Sequence, residues 1–387
     1  MLNKKDNLNI YNIKSLAFIT SQAFSVYNFR GSLIRLLVSQ GITVFALAPD
    51  YDAVSRGKVL ELGAKPIDFR LSRAGFNPIR DFFDSIRLLL VLRDLKVDAI
   101  FAYFIKPVIY GTLAAVIVGV KNRFAMIEGA GFVFNDYQSN SNLRILLRFI
   151  VTCLYRFSLR FADRVFFLNP DDKRLFIETG MVDHNKVTLL NGIGVDLDHF
   201  SSKPPVTQPV SFVMVARLLR EKGVYDYVEA ARLVKSMHPE VRFFLLGSVD
   251  ANPESLSQAE IDAWQTEGLI VCPGHVSDIR DWIERVSVFV LPSYYREGLP
   301  RSIMEAMAMG RPIITSDTVG CRETVEEGIN GFKVPPRSPN LLADAMMAFI
   351  QQPELISEMG AKSRQFAQNK YDVSKINMQI LSDLGIS

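Results

Sequence analysis

The stretch LPSYYREGLPRSIMEAMAMGRP, Leu291 to Pro312, reads as the end of a strand, a loop and a short helix. The apolar run Val286–Leu291 supplies the strand, and Pro292 and Ser293 stop it. Gly298 and Pro300 keep the next residues out of regular structure. Ile303 to Met309 is rich in Ala and Met, both good helix formers. Gly310 followed by Pro312 is a helix stop in the expected order. A strand, a Gly-containing loop and a helix N-terminus make an anion site. Glu297 and Glu305 stand on either side of that turn. A carboxylate there suits sugar hydroxyls, because it accepts two hydrogen bonds at once. Two plainer readings compete. Ser302 and Glu305 fit the S-x-x-E capping box, which would tie Glu305 to its own helix, and Glu297 would be a solvated loop charge.

Outward from this stretch the same alternation fills the chain. Strands are expected at Ile13–Thr20, Thr43–Ala48, Ala64–Phe69, Ala99–Ala102, Asn122–Ile127 and Arg164–Leu168. Helices fall between them at Phe29–Ser39, Ala53–Leu62, Pro78–Leu95, Val108–Val118, Leu143–Phe161 and Pro170–Thr179. Strand and helix in turn at this spacing mean a parallel, doubly wound sheet. The polar, Pro-rich run SSKPPVTQP then reads as a linker. The pattern restarts with strands at Val210–Ala216, Arg242–Gly247, Gly268–Cys272, Val286–Leu291 and Pro312–Ser316. The division is residues 1–200, a linker over 201–209, a second domain over 210–369, and a closing helix in 370–387 that either domain could hold.

Composition narrows the function classes. At 387 residues the chain can bury two cores, and 49% hydrophobic against 22% charged residues describes a globular protein. Cys153, Cys272 and Cys321 are widely spaced and odd in number, so a reducing compartment is expected rather than a disulfide framework. No N-terminal run is apolar and long enough for a signal peptide. Pro107–Val120 is apolar but shorter than the roughly 20 residues that span a bilayer. Residues 1–203 hold 26 Lys+Arg against 18 Asp+Glu, a net +8, whereas the remainder is acidic. A basic first half suits an anionic surface. Nucleic acid is not expected, since the basic residues are not interleaved with stacking aromatics.

Ligands of open α/β sheets bind beyond the carboxyl ends of the strands. Three loops of the second domain lie there. In Arg217-Leu-Leu-Arg-Glu-Lys222-Gly223, two cations beside a helix N-terminus suit a diphosphate; the plainer reading is a basic surface turn. In Gly274-His-Val276-Ser-Asp278, backbone groups suit a flat base, and Asp278 suits a helix cap. The opening stretch is the third.

Taken together, RLLREKG, GHVSDI, PSYYREGLPRSIMEAMAMGRPIITSD, Gly320-Cys-Arg-Glu-Thr and Gly328-Ile-Asn-Gly331-Phe resemble the retaining glycosyltransferases of family 4. Glu297 and Glu305 match that family's E-x7-E motif. The resemblance implies the GT-B fold, α/β, with two Rossmann-like doubly wound domains facing an interdomain cleft. It implies that Arg217 and Lys222 hold the diphosphate of a UDP-sugar, with Val276, Gly298, Leu299, Pro300 and Arg301 around the donor. Glu305 would accept from the ribose hydroxyls, and Glu297 would meet the sugar. Of these, Pro300 has no N–H to give. Arg217, Lys222 and Glu297 would carry catalysis, with no metal and no resident cofactor.

The first domain is similar to bacterial transferases that extend undecaprenyl-diphosphate sugars, particularly N-acetylgalactosaminyltransferases. The residues concerned are Ser25-Val-Tyr27-Asn-Phe29-Arg30 after the first strand, Leu71-Ser-Arg73-Ala-Gly75-Phe-Asn77-Pro78, and Ile127-Glu128-Gly129-Ala-Gly131. The implied acceptor contacts are Arg30, Arg73, Lys106 and Glu128. Many relatives carry a His after the fourth strand; here the loop is Tyr103-Phe-Ile-Lys106-Pro107, and Lys106 stands in its place. The expected partners are a UDP-sugar, a lipid-linked saccharide and the cytoplasmic face of the membrane, which the arginine-studded apolar helix Leu143–Phe161 suits. Two other readings stay open at this point: a UDP-sugar epimerase on the same fold, and a non-catalytic subunit of a transferase.

Overall fold

The computed structural model describes residues 12–72, 77–135, 142–249, 252 and 254–386. They divide into two compact units. Residues up to Phe134, 142–190 and 374–386 belong to the first, and Asn135 and residues 191–373 to the second. Among the described residues no helix is long and apolar enough to cross a membrane.

The first unit is a seven-stranded sheet of β1 (Ser15–Ile19), β2 (Thr43–Ala48), β3 (Lys65–Asp68), β4 (Ala99–Tyr103), β5 (Asn122–Ile127), β6 (Arg164–Phe167) and β7 (Val187–Leu189). The strand order is β3-β2-β1-β4-β5-β6-β7, with every pairing parallel. The helices are α1 (Ala23–Phe29), α2 (Gly31–Ser39), α3 (Ala53–Glu61), α4 (Pro78–Leu95), α5 (Thr112–Ile117), α6 (Asn142–Leu159) and α7 (Pro170–Glu178). Central strands covered on both faces read as unbroken apolar runs, and all of β4 (AIFAY) is buried. α4 begins at Asn77, whose side chain accepts from the Arg80 N–H at 3.1 Å, with Pro78 in the first turn. It ends at Lys96, which turns left-handed at φ 50°.

The second unit repeats the plan with β8 (Ser211–Val215), β9 (Arg242–Leu246), β10 (Val271–Gly274), β11 (Val288–Leu291), β12 (Ile313–Ser316) and β13 (Gly331–Val334) in the order β10-β9-β8-β11-β12-β13. Its helices are α8 (Val224–Met237), α9 (Gln258–Thr266), α10 (Arg280–Glu284), α11 (Arg301–Ala308), α12 (Pro339–Gln351) and α13 (Glu354–Lys370). Both sheets reverse direction once, between β1 and β4 in the first and between β8 and β11 in the second. A ligand-binding crevice is expected at each reversal.

Some elements differ from expectation. Helix begins at Ala23, ahead of the start expected at Phe29: Asp50, just past β2, accepts from the Ala23 N–H at 2.6 Å and starts α1. The strand expected at Gly268–Cys272 sits two to three residues later as β10, an edge strand that tolerates Pro273. Strands β7 and β13 and helix α9 were not foreseen. The linker is irregular, but Lys203 is pinned to the second unit: its carbonyl accepts from Arg311 at 2.8 Å. The last helix, α14 (Val373–Asp383), packs with the first unit from Ser374 onward. There Asn377 donates to Ser32 (3.1 Å), and Thr188 donates to Asp383 (2.8 Å).

Candidate functional site

In the second unit the reversal brings together the loops that follow β8 and β11. Gly223 opens α8 at φ 79°, and a Cβ there would lie 2.0 Å from the Pro292 carbonyl oxygen. Only glycine lets the two loops approach so closely. The Glu221 carbonyl then accepts the N–H groups of Tyr294 and Tyr295, both at 3.0 Å. This stitching puts Lys222 beside Glu297. The ammonium is hydrogen-bonded to Glu297 Oε1, and Ser293 Oγ donates to the same oxygen at 3.0 Å. The two side chains are only 13% and 11% exposed. Glu297 is therefore not a solvated loop charge. Lys222 also lies 5.2 Å from the centre of the Tyr295 ring. Arg217, exposed, sits just past the end of β8. Burial pushes the Glu221 carboxyl up, opposed mainly by Lys222.

Helix α11 starts at Arg301, with Pro300 as its N-cap and no side-chain cap. Ser302 lies inside the first turn, so the capping box expected with Glu305 is not formed. Glu305 instead pairs with Arg301 one turn back, Nε to Oε1 at 2.7 Å. Burial raises the Glu305 pKa, and Arg301 works against that shift. The first-turn N–H groups of α11 have no acceptor within the helix, and they make a positive end. The backbone of Glu297 and Gly298 rests on the loop after β12. At Gly320 (φ 80°) a Cβ would lie 2.6 Å from the Glu297 carbonyl oxygen. Thr318 Oγ1 donates to the Ser293 carbonyl at 2.9 Å. Gly298, Leu299 and Pro300 are buried in this loop, and Val276 is half-buried in the loop after β10. Asp278 accepts from the Arg280 N–H at 3.0 Å, so it serves the start of α10.

In the first unit the expected acceptor residues fall into two groups. Arg30, 2% exposed, pairs with Glu128, which follows β5. Its guanidinium also lies 4.8 Å from the centre of the Tyr103 ring. Two contacts expected separately are thus one ion pair. Lys106, after β4, is held at the reversal point by Asp81 (2.7 Å) and Ser72 (2.6 Å). Arg73 lies outside the described residues. Asp196-Leu-Asp198 forms a turn in which Asp196 accepts from the Asp198 and His199 N–H groups. Among the described residues no group of three His, Cys, Asp or Glu could hold a metal ion.

Residues 209–352 match the family model described as glycosyl transferases group 1. The chain is 29% identical over 380 residues to the N,N'-diacetylbacillosaminyl-diphospho-undecaprenol alpha-1,3-N-acetylgalactosaminyltransferase of Campylobacter jejuni, covering 95% of this chain and 97% of that protein. The chain carries a glycosyltransferase group 1 domain. An Escherichia coli relative, the UDP-Gal:alpha-D-GlcNAc-diphosphoundecaprenol alpha-1,3-galactosyltransferase, is 24% identical over 310 residues, covering 77% of each chain. The fold matches Anabaena Alr3699/HepE, solved in complex with UDP and glucose, with TM-score 0.76, 19% identity, and 96% and 99% of the two chains covered. It also matches TarM, with TM-score 0.72 and 13% identity over 97% of this chain and 99% of that one. Both units are Rossmann-like, and the fold is GT-B.

In this glycosyltransferase the structure joins Lys222 with Glu297, Arg301 with Glu305, Arg30 with Glu128, and Lys106 with Asp81. Sequence reading gave Ser293 and Gly320 no part in holding the site and did not single out Asp81. Ser293 lies two residues past β11 and four before Glu297, which is a usable signal. Asp81 carries no local signal, because its partner is 25 residues away in sequence.

Proposed function

We propose that this glycosyltransferase transfers an N-acetylhexosamine, N-acetylgalactosamine in the first instance, from its UDP donor to an undecaprenyl-diphosphate-linked saccharide. Transfer would retain anomeric configuration, need no metal, and take place at the cytoplasmic membrane surface. The pairing of Lys222 with Glu297 across the sheet reversal carries the reading. It sets a cation for a leaving diphosphate beside a carboxylate for a sugar. The sugar and the acceptor are drawn from the names of the Campylobacter and Escherichia relatives.

Charge develops on the leaving diphosphate oxygens as the glycosidic bond breaks. Fixed cations and a helix N-terminus stabilise that charge without reorganising. Lys222, Arg217 and the first turn of α11 supply these groups. Glu305, buried on α11, accepts from the ribose hydroxyls. Glu297 orients the sugar, and retention follows if the acceptor hydroxyl attacks from the leaving-group side and passes its proton to the departing phosphate. The protein then contributes positioning and charge stabilisation.

The test is transfer from a panel of UDP-sugars to an undecaprenyl-diphosphate-linked saccharide, with and without EDTA, and product anomers read by NMR. An α-linked product insensitive to EDTA is expected. UDP-sugar interconversion without acceptor would replace the reading with the epimerase. Absence of any nucleotide binding would replace it with the non-catalytic subunit.

A further inference from the structure

We infer that the outer faces of α4 and α6 form one docking surface for an anionic lipid bilayer. The inference rests on the membrane-side acceptor proposed above, and it names the part of the chain that meets the membrane.

On α4, Ile79, Phe82, Phe83, Ile86 and Leu90 are 73, 60, 57, 39 and 40% exposed. At 3.6 residues per turn these five fall within an arc of about 100°. The opposite arc holds Asp81, Asp84, Leu88 and Leu92, all buried. The helix is thus apolar on both sides, and only one side has the protein core against it. On α6, Ile145, Leu146, Phe149 and Phe157 are each more than half exposed, while Val151, Tyr155 and Leu159 face inward. α5 packs against both helices, so α4 and α6 lie in one layer on the same side of the sheet.

Charge selects the occupant. α4 turns Asp81 and Asp84 inward; its exposed Arg80 and Arg87 reach Asp84 at 3.9 and 3.3 Å, and Arg93 pairs with the exposed Asp94 at 3.5 Å, so the unbalanced positive charge comes from α6. Residues 142–162 contain no Asp or Glu, and Arg148, Arg156 and Arg160 are exposed along α6. Two of these have further work: Arg156 donates to the Thr179 and Gly180 carbonyls, and Arg148 lies over the Phe134 ring. Aliphatic and aromatic tips bordered by arginine suit acyl chains beneath acidic headgroups. An acidic protein groove would match the charge less economically, because the apolar tips project from convex helix surfaces.

The full chain should co-sediment with phosphatidylglycerol–phosphatidylethanolamine vesicles, bind phosphatidylcholine vesicles weakly, and release as salt rises. Phe82→Glu/Phe83→Glu and Leu146→Glu/Phe149→Glu should each lower partitioning about tenfold or more. Met237→Glu, an exposed apolar position of the second unit, is the control and should change nothing. Cys153, exposed on α6, provides a label in a Cys272→Ser background, and its fluorophore should shift to the blue on vesicle binding. Unfolding midpoints and UDP binding on the same preparations show that the variants are folded. Variants that partition like the parent overturn the inference. So does a parent that ignores anionic vesicles, or light scattering in which the variants only dissolve a dimer. Loss of partitioning in a protein that transfers no sugar leaves the surface standing and removes the function. Transfer without vesicle binding does the reverse.

Discussion

Replacing Lys222 by Met separates the structural from the chemical use of one cation. Lys222 and Glu297 are 13% and 11% exposed, so both charges are largely desolvated. Removing one member of a buried pair costs about 3–5 kcal/mol. Here Ser293 still donates to the stranded carboxylate at 3.0 Å. The loss expected for Lys222→Met is therefore at the lower end of that range, about 3 kcal/mol. Turnover should fall about 10²–10³-fold, as for removal of one fixed donor from a developing charge. Those two effects are confounded in the single variant. Adding Glu297→Gln neutralises the carboxylate left behind, so Lys222→Met/Glu297→Gln should regain stability to within about 1 kcal/mol of the parent. It should regain none of the turnover. Urea unfolding and initial-rate transfer assays on the three proteins decide the matter. A single variant that turns over within about tenfold of the parent would refute the phosphate role. A double variant that stays as unstable as the single one would refute the pairing argument.

Three further outcomes are expected. Glu305→Gln should raise the KM for UDP-sugar about tenfold while leaving the unfolding midpoint unchanged or higher, since burial already disfavours its charge; a lowered midpoint with normal KM would contradict this. Gly320→Ala places a Cβ 2.6 Å from the Glu297 carbonyl oxygen at φ 80°; strain of about 1–2 kcal/mol or more should displace the Glu297 loop and reduce kcat in a protein that remains folded. Burial raises the Asp226 pKa from 3.8 to about 6, with Arg337 opposing the shift. The folded state thus holds this proton more tightly than the unfolded state, so the group's contribution to stability falls as pH rises from about 4 to 6. Partial exposure beside Arg337 moderates the effect. Asp226→Asn should remove that slope and gain stability relative to the parent above pH 6, read as urea midpoints at pH 4 and pH 8.

The fold was legible where strands are buried on both faces. β4 and β11 are unbroken apolar runs, and β1, β2, β5 and β8 are apolar after their first one or two residues; each lies inside its sheet. The misread strands, β7, β10 and β13, are all at sheet edges, where a short strand is covered by fewer neighbours and its composition carries less signal. The motif S-x-x-E shows the limit of local reading most directly. At Ser302–Glu305 the sequence fits, but the helix has already begun, and Glu305 turns to Arg301. At Ser257–Glu260 the same spacing went unused, and there the capping box is complete and starts α9. The spacing states that a cap is possible; where Pro300 ends the preceding loop decides whether it forms. At the candidate site the charged residues were legible and their partners were not. Arg30 and Glu128 are 98 residues apart, and Lys222 and Glu297 are 75 apart. Only the sheet order makes them neighbours.

That order also explains why α4 matters to both ends of the proposed reaction. The helix spans the gap between β3, on the edge, and β4, across the reversal, so it must pass over the point where the first sheet changes direction. Its inner face therefore meets the loop after β4, and Asp81 holds Lys106 there at 2.7 Å. The outer face of the same turn is Phe82 and Phe83, exposed at the position inferred to meet lipid. If α4 docks on the bilayer as inferred, one turn of helix would fix the distance from the membrane to Lys106 at the end of β4. A lipid-linked acceptor needs such a distance, because its diphosphate stays at the headgroup level while its sugar must reach the donor. A water-soluble acceptor would impose no such requirement, and an exposed Phe pair would then carry only the cost of its hydration.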